Sequence, residues 1–275
     1  MPSSFLDDRG VLRVSGAEAR GFLQGLFTCD VERVVPGNPA FGALLTPQGK
    51  IIVDFILTEQ DDAFWLDVPA QLAADLLKRL RLYRLRAQIE LSDLSETMGV
   101  QAIWGAEHLP AGAQPDPRHA NLGARLIADR ATLAASPGDR AAWEAQRIAC
   151  GIPQGGGDFA YGEAFPHEAN MDLIGGVDFK KGCYVGQEVV SRVHHRGTAR
   201  RRILPAAFAA KAPAPGTPVL AGETEVGTVG SAAGPHALAS IRLDRAEDAR
   251  AAGTPLTAGG IALTLGALPS RAPQG

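Results

Sequence analysis

The residues best suited to do chemistry in this sequence lie in one eight-residue stretch, KGCYVGQE, from Lys181 to Glu188. Cys183 follows Lys180 and Lys181, and adjacent positive charge favours the thiolate, the form that attacks electrophiles and binds soft metals. Gly182 and Gly186 bracket the thiol, and glycine serves where a backbone turns sharply or approaches a ligand closely. Gln187 and Glu188 offer an amide and a carboxylate to the polar edge of a heterocycle. The same glutamate equally suits the first turn of a following helix, and a free cysteine is by default a buried small hydrophobe, so both readings stand at this point. Cys29 and Cys150 lack such basic neighbours and read as packing residues.

Three further groups surround this stretch. Between Asp178 and Arg202 seven basic residues, among them Arg192, face two acids, a net of +5 in a chain whose formal charge is -3. Such a stripe suits an anionic ligand tail, a nucleic-acid backbone or an acidic partner. Glu168, Asn170 and Asp172 alternate and would share one side of an extended segment, lining a pocket. His194 and His195 are adjacent, so they point apart in an extended chain, and no metal site is assigned. The second basic cluster, KRLRLYRLR, reads as a helix whose long side chains cover the core.

The elements that must position these residues belong to a mixed chain. With 275 residues, 45% of them hydrophobic, it has material for two domains. The slightly acidic balance argues against nucleic acid as a direct ligand. No run reaches the length of a membrane helix, and MPSSFLDDRG has no basic region followed by an apolar one, so the expectation is a cytoplasmic protein without a membrane. Three isolated cysteines fit neither a disulfide framework nor a CxxC site, and fall short of the four usual ligands of a cluster. A link to iron–sulfur chemistry would be that of a helper.

Val11 to Val14 reads as a strand, and Ser15 with Glu18 as a capping box opening a helix through Ala19, Phe22, Leu23 and Leu26. FGALL and IIVDFIL, split by TPQGK, predict a hairpin over 41–57. A strand over 63–68, a helix over 71–81 and a strand over 87–91 follow. Then come a loop over 109–121, a strand pair over 122–133, and a helix over 139–150 closed by Gly151 and Pro153. The segment from Gly151 to Asp172 has too many glycines and prolines for a regular element, yet carries Phe159, Tyr161, Phe165 and Met171, which points to an ordered, site-forming loop. Beyond Arg202, short apolar stretches between Gly and Pro predict a small barrel or sandwich, with KAPAPG or the residues just before it as linker and SRAPQG as a fraying tail. The fold class is α+β, with antiparallel strands covered by helices over 1–202, of which about 41–135 forms a sub-unit, and a barrel over 203–275.

KGCYVGQEVVSR, Lys181 to Arg192, resembles the signature of the YgfZ family, relatives of the glycine-cleavage T-protein. FLQGLFTCDV, GALLTPQGKIIVDF, YRLRAQIEL, RIACGIP and PHEANMD follow that family's order along essentially the whole chain. The resemblance implies ferredoxin-like α+β units and a barrel in a three-part, ring-like arrangement around a folate site. It implies tetrahydrofolate, or a one-carbon-substituted folate, as cofactor, and a role in assembly, maintenance or repair of iron–sulfur proteins, with those enzymes or assembly proteins as partners. On it Cys183 and Lys181 carry the chemistry, while Tyr184, Gly186, Gln187, Glu188, Arg192, Glu168, Asn170, Asp172 and Asp54 surround the ligand. The alternative is a folate-dependent aminomethyltransferase or demethylase. The T-protein has an aspartate pair where this chain has Val53 and Asp54, and a pterin-gripping glutamate where it has Ala149. Whether there is turnover does not follow from the resemblance; an enzyme would be a tetrahydrofolate-dependent one-carbon transferase.

Overall fold

The computed structural model describes residues 1–197 and 199–270. Its first sheet is antiparallel throughout, in the spatial order Ala40–Leu45, Ile51–Gln60, Ala63–Pro69, Arg9–Ser15, Glu90–Asp93. Both faces are covered, which is why IIVDFIL is nearly continuously apolar rather than alternating. On one face Leu12, Val14, Val53, Phe55, Leu66 and Val68 pack with Ala73, Leu76, Leu77 and Leu80 of the helix Ala70–Arg84. On the other, Val11, Ala43 and Trp65 join a core with Val100, Ala102 and Trp104. Those partners belong to or border a second antiparallel sheet, ordered Ser3–Phe5, Met98–Ile103, Ala124–Asp129, Gln114–Pro115.

The third part is a closed six-stranded barrel. Arg201–Phe208 pairs with both His236–Arg242 and Ile261–Leu265, and that double pairing removes the free edges. The fold is therefore α+β with a C-terminal barrel, as expected. KAPAPG is not a linker: it connects two barrel strands, Arg201–Phe208 and Pro218–Ala221. All of the tail SRAPQG but Ser270 lies outside the described residues.

Local chemistry corrects several expected elements. Glu18 makes no capping box, because its carboxylate accepts from the Gln88 backbone N–H at 2.6 Å, and the helix runs only over Ala19–Gln24. The predicted strand pair over 122–133 is one strand, Ala124–Asp129, and a helix, Arg130–Ala135, because Asp129 accepts from the Thr132 N–H at 2.8 Å. The strand expected over 87–91 is Glu90–Asp93, displaced past Leu85, whose φ of 46° breaks the preceding helix. In KRLRLYRLR only Leu80 is buried, while Leu82 and Leu85 stand exposed, so that helix covers the core on one side alone. The helix over Arg140–Ala149 forms as predicted, capped by Asp139, whose carboxylate accepts from Ala142 N at 2.9 Å.

Candidate functional site

Two structures meet at the signature stretch. Its entry is an Asx turn: Asp178 accepts the backbone N–H groups of Lys180 at 2.7 Å and Lys181 at 3.0 Å. The Lys181 side chain then turns inward. Its ammonium donates to the carbonyls of Gln24, Phe27 and Cys29 at 2.7, 2.6 and 2.9 Å, using all three donors. Burial pushes this ammonium below its ordinary pKa, opposed by Cys29, Asp30 and Asp178. It also lies 5.3 Å from the centre of the Tyr184 ring, which is buried; burial pushes that phenol up to about 12.

The exit is fixed by glycine against glycine. Gly186, at φ 81°, precedes the helix Gln187–Arg196, and a Cβ there would come within 2.5 Å of the Thr46 carbonyl and 3.0 Å of Gly49 Cα. Gly49, at φ 83°, sits at the tip of the TPQGK hairpin, with Val189 packed over it. Lys181 and Tyr184 thus hold the loop from below and the hairpin tip holds its end. Between them Gly182 and Cys183 are exposed, and nothing lies within 4 Å of where a Gly182 side chain would begin. Gln187 is half-buried; Glu188 is exposed and bridges Arg192 along the helix.

The other thiols differ. Cys29 is buried and its thiol is pushed up to about 12 by that burial. Cys150 is half-buried and raised by burial.

The alternating acids do not line one face, because the segment is a series of turns rather than a strand. Glu168 accepts the Phe165 N–H at 2.9 Å. Asn170, fully buried at φ 58°, donates to the Ile203 carbonyl at 2.6 Å. Asp172 takes Arg202 in a two-pronged pair at 2.6 and 2.9 Å. Two of the three therefore dock the loop on the first barrel strand. The basic stripe is likewise partly consumed: Lys181, Arg192 and Arg202 all have partners.

Asp54 lies elsewhere, between the two sheets, where Tyr161 donates to its carboxylate. Burial and this carboxylate raise the Tyr161 phenol far above its ordinary pKa. Beside it runs a buried chain of alternating charges. Arg9 pairs with Asp67 at 2.5 Å, Asp67 with Arg125 at 2.5 Å, Arg125 with Asp116 at 3.1 Å, and Asp116 with Arg118 at 2.7 Å. Burial alone would raise the Asp116 pKa, yet Arg118 and Arg125 hold it well below the usual carboxylate range. The space left here, lined by Asp54, Arg9, Arg118, Arg125, Trp143 and Arg147 among others, is about 20 Å³, roughly room for one water. Val53 is fully buried in the opposite core. Paired charges and the Tyr161–Asp54 contact occupy the space between Asp54 and the Arg140–Ala149 helix, so no pterin site is assigned there.

Larger hollows flank the signature helix. One, of about 450 Å³, is bordered by Asp178, Phe179, Lys180, Arg33, Phe41 and His194. The other, about 360 Å³, is bordered by Phe165, His167, Glu168, Arg200, Arg201 and Arg242. Between them sequence reasoning missed a contact: His194 lies not with His195 in function but near His167 and Asp172, with ligand atoms of all three within 4.8 Å of one another. The only signal was that His167 falls in PHEANMD, and nothing in the sequence joins it to His194.

Comparison with known proteins bears on the fold. Residues 7–109 match the GCVT N-terminal domain, and residues 200–273 match the CAF17 C-terminal beta-barrel domain. The aminomethyltransferase T of the Bartonella henselae glycine cleavage system has the same fold, with a TM-score of 0.74 over 97% of this chain and 85% of that one, at 17% identity. A Neurospora crassa protein named as a mitochondrial iron–sulfur cluster assembly factor IBA57 homolog is 34% identical over 78% of this chain and 55% of its own length. Its namesake from Mycosarcoma maydis is 33% identical over 73% of this chain and 55% of its own. The chain thus spans a little over half the length of these curated relatives. Their names place them in mitochondria, which overturns the expectation of a cytoplasmic protein. Among the described residues no helix is long and apolar enough to cross a membrane.

Proposed function

We propose that this chain is an accessory factor in the assembly or maintenance of iron–sulfur proteins, and that Cys183 is its working thiol. The observation that carries this reading is the contrast among its three cysteines: one thiol is held in the open by a buried lysine and a glycine-to-glycine contact, while the other two are buried or half-buried with raised pKa values. The similarity to proteins named as cluster assembly factors supports it.

The chemistry follows from ligand number. Clusters are held by four ligands, most often thiolates. One exposed cysteine supplies one ligand, so the remaining ligands come from a partner, either an assembly protein or the client enzyme. Lys181 acts by position: it shapes the loop from below rather than serving the sulfur as a free cation. The finer likeness to YgfZ-type proteins rests on the loop from Lys181 to Glu188. Folate is given no step here, since the cleft beside Asp54 is filled by paired charges.

The test is genetic and biochemical. In a strain lacking the protein, several iron–sulfur enzymes lose activity; the full chain restores them, and Cys183→Ser does not. Normal cluster enzymes in the deletion strain, or full rescue by Cys183→Ser, would overturn the reading.

A further inference from the structure

His167 is 2% exposed, and neither ring nitrogen has a hydrogen-bond partner among the described residues. Leaving a buried polar group without a partner costs about 1–3 kcal/mol, so such atoms call for an explanation. A buried ring nitrogen with no hydrogen-bond partner among the described residues is free to give its lone pair to a cation.

What faces it is a donor set. His194 projects from the last turn of the helix Gln187–Arg196, its ring 6.2 Å from that of His167 with 29° between planes. Phe179 stacks on His194 at 3.7 Å and 16°, fixing the ring's orientation. Asp172 completes the group, and its carboxylate is oriented by Arg202, which also donates to the His167 carbonyl at 2.7 Å. Each carboxylate oxygen has two lone pairs, so the guanidinium leaves acceptor capacity on both. All three residues bring a ligand atom within 4.8 Å of the others.

We infer that His167, Asp172 and His194 form a binding site for a first-row divalent transition-metal ion, with at least one coordination position open to solvent on the His194 side. Two imidazoles and one carboxylate suit zinc or ferrous iron, and three protein ligands with an open position are the pattern of exchangeable rather than closed structural sites. Arg202 serves as the outer partner that orients the carboxylate. Its positive charge, with Arg200 and Arg201 nearby, makes the site weaker than a closed structural zinc site. The site goes beyond the reading of Cys183 and uses no thiol.

The experiment uses the full chain carrying Cys183→Ser, so that the exposed thiol takes no part. Zinc binding is measured by competition with a chromophoric chelator, and cobalt is added as a spectroscopic probe of coordination. We expect one zinc per chain, visible cobalt bands, and a melting temperature raised by zinc. His194→Ala should weaken zinc at least tenfold and abolish the cobalt bands while the metal-free chain still unfolds cooperatively. His167→Phe should do the same to binding while keeping the ring volume, and His195→Ala should change nothing. No binding by the parent, equal binding by His194→Ala, or equal weakening by His195→Ala and His194→Ala would overturn the site. None of these outcomes bears on whether Cys183→Ser fails to rescue cluster enzymes.

Discussion

The signature loop and the charged layer between the two sheets are both dense in ionisable groups, and they use them to opposite ends. In the layer Arg9, Asp67, Arg125, Asp116 and Arg118 neutralise one another in sequence, leaving only about 20 Å³ and no unpaired group in that chain of pairs. In the loop one charge, that of Lys181, is spent on backbone carbonyls, and Cys183, two positions on, is left exposed. The lesson is that perturbed ionisation marks function only where the perturbed group can still reach a substrate. Asp116 has a strongly lowered pKa and no access; Cys183 has the access.

The layer offers the largest way to break this comparison. Asp116→Asn removes the carboxylate between two buried guanidiniums and should cost about 3–5 kcal/mol in urea unfolding. Because the folded pKa of Asp116 lies below its ordinary 3.8, its contribution is present above that value and is lost as pH falls through the folded pKa. The acid-induced fall in the unfolding midpoint below pH 4 should therefore be shallower in the variant. An unchanged slope would assign the acid sensitivity to other carboxylates.

Lys181→Met is next in size. Two buried carbonyls and one partly buried one lose their donor, at a cost of about 2–3 kcal/mol. The same variant should lose part of the rescue of iron–sulfur enzymes, because the loop below the thiol is no longer pinned. Rescue at wild-type level with lowered stability would make Lys181 a purely structural residue. Smallest is Cys183→Ser in the same unfolding measurement, within about 0.5 kcal/mol of the parent. A larger loss would mean that the sulfur packs, and the division between the two regions would collapse.

What the sequence disclosed of all this follows the range of the interactions involved. The 41–57 hairpin and the Asp139-capped helix depend on neighbours a few residues apart, and both read correctly. The short barrel strands were readable from their Gly and Pro punctuation, although KAPAPG inside the barrel resembled a linker because a turn and a linker share one composition. Glu18 illustrates the opposite case: its capping role was lost to a backbone N–H seventy positions away. The site divides likewise. The neighbours of Cys183 marked it as a candidate thiol but left a buried packing role equally open, and its exposure appears only in the fold; Lys181 was assigned to the chemistry because its acceptors at Gln24, Phe27 and Cys29 are invisible in sequence. Glu168, Asn170 and Asp172 were grouped by alternation, which fails once the backbone turns, and His167 meets His194 only in the fold.

The Lys181 anchor has a consequence in time as well as in space. Its three acceptors are made early in synthesis and its ammonium more than a hundred and fifty positions later. Until then the carbonyls of Gln24, Phe27 and Cys29 lack this donor, and the chain has no Cys183 to present. The thiol and the latch that displays it emerge from the ribosome almost together, so a truncated or stalled product ending before residue 181 carries the first sheet without the reactive group. In this molecule the order of synthesis itself withholds the sulfur until the body that must aim it already exists.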